Sequence, residues 1–188
     1  MGIRERIITA CRDLSQVRGF HGVTIDELAA RAGVSKRTIY RYFASKDEII
    51  AATVDEFLVE MDRYVNEVIQ TGMNPADMLT AIIRRLQENG RFITASPGFS
   101  DLQVRYPHLW KRIDDFRMGK VRFMLEVIRQ RSNSPLIRET NPQIMSAIIL
   151  TVVQSVLTPD FIIRNGLTFE ETVNQVSRFF LAIMSQER

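Results

Sequence analysis

At 188 residues, 45% apolar and 25% charged, the chain lies in the ordinary globular range and is long enough to bury a core, as one continuous helical unit or two closely packed ones. Its single cysteine, Cys11, excludes an internal disulfide. With only two histidines beside it, no metal site is expected, and a reducing cytoplasm fits best. The N-terminus MGIRERIITACRD is charged every few residues where a signal peptide needs an apolar stretch, and no later run approaches a membrane span, so a soluble protein is expected.

The net charge of +3 is unevenly placed. Residues 1–50 hold nine Lys/Arg against six Asp/Glu, and residues 51–188 balance. Between Leu28 and Lys46 there are five basic residues and no acidic one, the asymmetry of a surface facing phosphates.

The spacing predicts a first helix over about Ile3 to Arg18, with Ile3, Ile7, Ala10, Cys11, Leu14 and Val17 inward. Cys11 is then a packed thiol rather than a nucleophile. Gly19 and Gly22 end the helix and leave His21 in a turn. A capping box, Thr24 with Glu27, opens a second helix that buries Ile25, Leu28, Ala29 and Ala32. Gly33 can adopt the left-handed conformation and Ser35 can cap a third helix, to about Phe43. Two short helices joined only by Gly33-Val34-Ser35, with small Ala29 at the crossing, match a helix-turn-helix. The third helix buries Val34, Ile39 and Phe43 and turns Lys36, Arg37, Thr38, Tyr40, Arg41 and Tyr42 outward. So many donors on so short a helix favour a partner rich in acceptors, and DNA offers phosphate oxygens and the guanine O6 and N7 edge.

A second capping box, Ser45 with Glu48, opens a long helix over about Lys46 to Gln70. Asn74-Pro75 starts another, to about Ala95. After Ser96-Pro97-Gly98 comes a short helix near Phe99–Arg105, then a long one from Tyr106-Pro107 to about Arg131. Ser132 to Thr140 reads as a polar loop. Asn141-Pro142 caps the apolar run IMSAIILTVVQSVL, and a third box, Thr168 with Glu171, opens the last helix after a loop around Asn165-Gly166. The sum is an all-α protein of about nine helices, divided as a DNA-binding domain over residues 1–46 and a larger body over 47–188. The last two long helices are too apolar for their own chain to cover. Met145, Ile148, Ile149, Val152, Val156, Val176, Phe179, Phe180 and Ile183 are therefore expected in a homodimer seam, built as an intermolecular helical bundle.

Phe20, Gly22, Thr24-Ile25, Ala29, Gly33, Val34, Ser35, Thr38, Tyr40, Tyr42, Phe43, Lys46 and Glu48, in that order and spacing, resemble the N-terminal DNA-binding domain of the TetR family of bacterial transcriptional regulators. The resemblance covers about Ile3 to Thr53; beyond it only helix order and length are similar. It implies a homodimer that binds a palindromic operator, as a repressor, and lets go when a small molecule enters the C-terminal body. It also implies that Thr24 and Lys46 grip phosphates at helix starts. Thr38, Tyr40 and Tyr42 take recognition-helix positions, Ser35 belongs to the same DNA-facing set, and Lys36 and Arg37 sit where bases are read. Arg37 ranks above Lys36, because its planar fork fits guanine.

Such a regulator needs a switch and a pocket. The helix from Lys46 is the natural lever. Met61, Tyr64, Val65, Met78, Ile82, Leu86, Phe92, Phe116, Met124 and Val127 are the candidate lining, which suits an apolar or aromatic ligand. Asn89, Arg91, Tyr106 and Arg122 are candidate polar anchors. No enzyme, cofactor or metal is expected, since no Gly-rich phosphate loop occurs and neither His21 nor His108 has a local partner of triad or ligand type. The competing reading is a DNA-binding adaptor whose C-terminal body docks a protein.

Overall fold

Seven helix starts among the described residues carry a side-chain cap, from Thr24, Ser35, Ser45, Asn74, Asn141, Thr158 and Thr168. The computed structural model describes residues 1–89 and 98–184, apart from the side chains of Phe99, Pro159, Ile183 and Met184. Within them lie eleven helices and no strand: α1 Ile3–Gly22, α2 Ile25–Ala32, α3 Lys36–Tyr42, α4 Lys46–Gln70, α5 Pro75–Asn89, α6 Gly98–Val104, α7 Pro107–Arg131, α8 Pro135–Glu139, α9 Pro142–Val156, α10 Pro159–Arg164 and α11 Phe169–Met184. The fold class is all-α, as expected, and the count rises from about nine to eleven. The two additions, α8 and α10, stand in stretches read as loops. At five and six residues they are too short to print an apolar period, and each is started by a first-turn proline. The expected extension of α5 to Ala95 lies outside the described residues.

The boxes form as the spacing requires. The Thr168 Oγ1 accepts from the Glu171 amide at 3.1 Å while the Glu171 carboxylate accepts from the Thr168 amide at 2.8 Å. At α4 the pattern is offset, for Ser45 Oγ caps the Glu48 amide at 3.2 Å but the Glu48 carboxylate reaches back to the Ala44 amide at 2.5 Å. Asn74 and Asn141 cap α5 and α9 through their side-chain oxygens. Each such cap is worth about 0.5–2 kcal/mol. Among the described residues no helix is long and apolar enough to cross a membrane.

The chain divides into two compact units, Met1–Met61 with Asn89–Ile113, and Asp62–Glu88 with Asp114–Arg188. In the first, Ile7, Ile8, Phe20, Leu28, Ile39, Ile49 and Ile50 are almost wholly buried, joined by Leu102 and Leu109. Phe20 meets Tyr106 edge to face at 6.4 Å. Burying each such side chain contributes about 1.5–3 kcal/mol. The buried stripe of α1 runs Ile7, Ile8, Ala10, Cys11, Ser15, and departs from the expected one. Leu14 is half-buried and Val17 is 78% exposed, while Ser15 is buried because its hydroxyl donates to the Cys11 carbonyl at 2.6 Å. Cys11 is packed as expected, and burial pushes its thiol pKa up, which favours the unreactive neutral form.

The second unit is built around Val68, Met78, Met124, Val127, Ile128 and Ile137, with Tyr64, Ile69, Leu79, Ile82 and Met145 packed against them. Here α9 is poorly covered: Val153 is its only fully buried side chain among the described residues, and Ile148 is 57% exposed.

Candidate nucleic-acid interface

The candidate interface is the pair α2 and α3, and its geometry starts at Thr24. The Thr24 hydroxyl accepts from the Glu27 amide at 3.2 Å and the Glu27 carboxylate accepts from the Thr24 amide at 3.0 Å. Those hydrogen bonds from Thr24 hold the Glu27 carboxyl below the usual glutamate pKa, with the nearby Arg18 guanidinium adding to the effect. Gly33 then stops α2 at φ 64° and ψ 42°, in the left-handed region. Its amide donates to the Ala30 carbonyl at 3.2 Å and the Val34 amide donates to Ala29 at 3.0 Å. Arg6 reaches over from α1 and donates to the Ala32 and Gly33 carbonyls, each at 2.8 Å, so the exposed end of α2 is closed by a cation that also suits its dipole.

Ser35 caps α3, its Oγ accepting from the Thr38 amide at 3.0 Å and lying 2.9 Å from Thr38 Oγ1. Behind the helix, Ile39 and Phe43 are buried. In front, Ser35, Lys36, Arg37, Tyr40, Arg41 and Tyr42 are exposed, and Thr38 is half-exposed. Tyr40 is 54% exposed and Tyr42 40%. Arg37 makes no hydrogen bond or ion pair among the described residues. The Arg41 guanidinium lies 5.5 Å from the Tyr42 ring centre, and Lys36 Nζ is 2.6 Å from an Asp26 carboxylate oxygen. Six of the eight residues expected to face DNA, Thr24 included, are thus exposed, and Thr38 is half-exposed.

Lys46, the eighth, is placed differently from a free phosphate-gripping lysine. It is half-buried and its Nζ donates to the His21 carbonyl at 2.8 Å. Burial lowers its pKa, partly offset by Asp101 and Asp47. The other end of the same residue is held too, since the His21 amide donates to Asp101 Oδ2 at 2.8 Å. Sequence reasoning missed Arg6, Asp26 and Asp101. No local signal marks Asp101, which lies 80 positions from its partner. Asp26 stands in the first turn of α2, and its pairing with Lys36 exists only once the turn at Gly33 is folded.

Of the expected ligand-lining residues, Tyr64, Met78, Ile82, Met124 and Val127 come together in the core of the second unit. Tyr64 also stacks under the Arg85 guanidinium at 5.1 Å and donates weakly to the Ala81 carbonyl at 3.4 Å. Val65 is buried, Leu86 and Phe116 are half-buried, and Met61 is buried in the first unit. Phe92 lies outside the described residues, as does Arg91. Tyr106, a candidate anchor, packs on Phe20 in the first unit, and burial raises its pKa.

Of the expected seam, Phe179 is 65% exposed and Ile148 is also exposed, while Met145, Ile149, Val152, Val156, Val176 and Phe180 are half-buried. Phe179 and Phe180 meet edge to face at 6.0 Å. The side chain of Ile183 is outside the described residues.

Residues 7–53 match the family described as bacterial regulatory proteins, tetR family. The chain is 22% identical over 173 residues to the HTH-type transcriptional regulator YvaF of Bacillus subtilis (strain 168), covering 92% of this chain and 90% of YvaF. It is similar in fold to E. coli NemR in its reduced form, with a TM-score of 0.70, 20% identity and all of both chains covered. The transcriptional regulator FadR of Bacillus subtilis, solved in complex with stearoyl-CoA, gives a TM-score of 0.55 at 16% identity over 98% of this chain and 99% of that one.

Proposed function

We propose, from the membership of this helix-turn-helix transcriptional regulator in the tetR family of bacterial regulatory proteins, that it is a dimeric repressor released from a palindromic operator by a small effector. The observation that carries the reading is the exposed donor face of α3, set on an apolar back by a tight turn. Residues 1–46 do the reading of DNA, and residues 47–188 bind effector and partner subunit. Thr24, Ser35 and Thr38 position the phosphate backbone with Tyr40 and Tyr42, and Arg37 reads a base edge. Lys46 keeps two of its three donors beyond the one given to His21.

The apolar surface left on α9 and α11 supports a seam between two copies, because exposed Ile148 and Phe179 would otherwise stand in water. The effector is apolar or aromatic: Tyr64, Met78, Ile82 and Met124 supply adaptable apolar surface, and the long acyl group seen with FadR is a chemistry of that kind. Since α4 is one helix from Lys46 to Gln70, with residues in both units, it is suited to pass a tilt to the reader. An effector that prefers the released arrangement by a few kcal/mol is enough to lower operator affinity by about a hundredfold. A thermal-shift series with fatty acids, acyl-CoA esters and aromatic acids tests this. A true effector raises the melting temperature by linkage and weakens DNA binding. Failure of all three classes, with DNA binding intact, favours a protein-docking adaptor.

A further inference from the structure

Two cations open α3, and the structure treats them differently. Arg37 makes no hydrogen bond or ion pair among the described residues, whereas Lys36 Nζ sits 2.6 Å from Asp26 Oδ1, an acid in the first turn of α2. Both members of the pair are open to solvent, at 56% for Lys36 and 70% for Asp26. An ion pair so exposed adds little to folding, so its consequence falls on whatever approaches this face. The neighbouring acid, Glu27, is engaged by Thr24 and Arg18 and is not a rival partner for Lys36.

We propose that Asp26 is a specificity-determining residue: its carboxylate occupies the Lys36 ammonium in place of a phosphate oxygen, so that non-specific DNA affinity stays low and recognition rests on Arg37 and the aromatic donors of α3. The inference rests on the DNA-binding reading above. Non-specific binding comes almost entirely from cations that displace counterions from phosphates. A lysine whose charge is already balanced by a carboxylate releases fewer of them when it meets a phosphate, and that carboxylate also repels the backbone. A guanidinium that reads a base edge loses nothing by this arrangement, because hydrogen bonds to bases carry the discrimination.

The test is a double-mutant cycle on the full-length protein, with Asp26→Asn, Lys36→Ala and the double variant. Binding is measured to a mixed-sequence 30-base-pair duplex and to the best duplex selected from a random pool, across a salt series. Asp26→Asn is expected to tighten binding to the mixed-sequence duplex. It should also steepen the salt dependence by about 0.9 per protomer bound, which is about 3.5-fold more affinity lost per protomer between 50 and 200 mM salt. The gain should vanish in the Lys36→Ala background, and the ratio of selected to mixed-sequence affinity should fall in Asp26→Asn. An equal gain with and without Lys36 would overturn the proposal, since it would reflect only the loss of one negative charge. So would a loss confined to the selected duplex, which would make Asp26 an acceptor for a base amine. If the wild-type protein bound neither duplex, the DNA-binding reading itself would fail. Wild-type binding with an unchanged Asp26→Asn would overturn only the role of Asp26. Thermal melting of each variant confirms that the comparison is between folded proteins.

Discussion

Arg37 and Tyr40 lie three positions apart on α3 and are both exposed. Replacing Arg37 by Ala should weaken binding to the selected operator by about 1–3 kcal/mol, or roughly 5- to 150-fold, while leaving the melting temperature within a degree or two. Fluorescence anisotropy at fixed salt checks it, and unchanged affinity would remove Arg37 from the base-reading set. Cys11 makes the opposite kind of prediction. Buried and held neutral by desolvation, it should resist a thiol reagent in the native protein and react fully in denaturant. Both residues were legible in the sequence, one as a cation whose planar fork suits a guanine edge on a helix with an apolar back and the other by its place on an apolar stripe. Ser15 was not, because its burial depends on a hydroxyl that satisfies itself within its own helix. Lys46 was legible as a cation but not as a half-buried one bound to the His21 carbonyl.

Among the elements, the turn between α2 and α3 was the clearest in the sequence and is tightly constrained in the fold. Gly33 sits at φ 64°, and a Cβ there would lie 2.9 Å from Arg6 Nη2. Gly33→Ala should therefore cost about 1–2 kcal/mol, read by chemical denaturation, and it should weaken DNA binding by displacing α3. The capping boxes at Thr24 and Thr168 add a pH dependence. Their glutamates, Glu27 and Glu171, have pKa values below the usual one because Thr24 and Thr168 hydrogen-bond the carboxylates. A lowered folded pKa means the contribution is complete above the ordinary glutamate range and fades as pH falls through the folded value. Melting of wild type and Glu171→Gln should thus differ at pH 7 and converge toward pH 3. Caps and apolar periods of long helices could be read from residues three and four apart. The short α8 and α10 carry too few residues for a period, and the hold of Asp101 on His21 spans too much sequence to be seen before folding.

At the scale of the molecule, the apolar faces of α9 and α11 were legible as an excess of apolar residues, though a single chain cannot show what covers them. Ile148 and Phe179, both more than half exposed, mark the centre of the proposed seam. Ile148→Glu should give a folded monomer by sedimentation velocity and lose cooperative operator binding; a variant that still sediments as a dimer would place the seam elsewhere. The central claim is that two copies of α3 read successive major grooves of a symmetric site. Selecting duplexes from a random pool with the purified protein tests it most directly. The expected result is a palindrome whose half-sites lie about 10 base pairs apart, or a close multiple, and whose enrichment is lost with Arg37→Ala. A pool that enriches no sequence, or only a single asymmetric site, would contradict it.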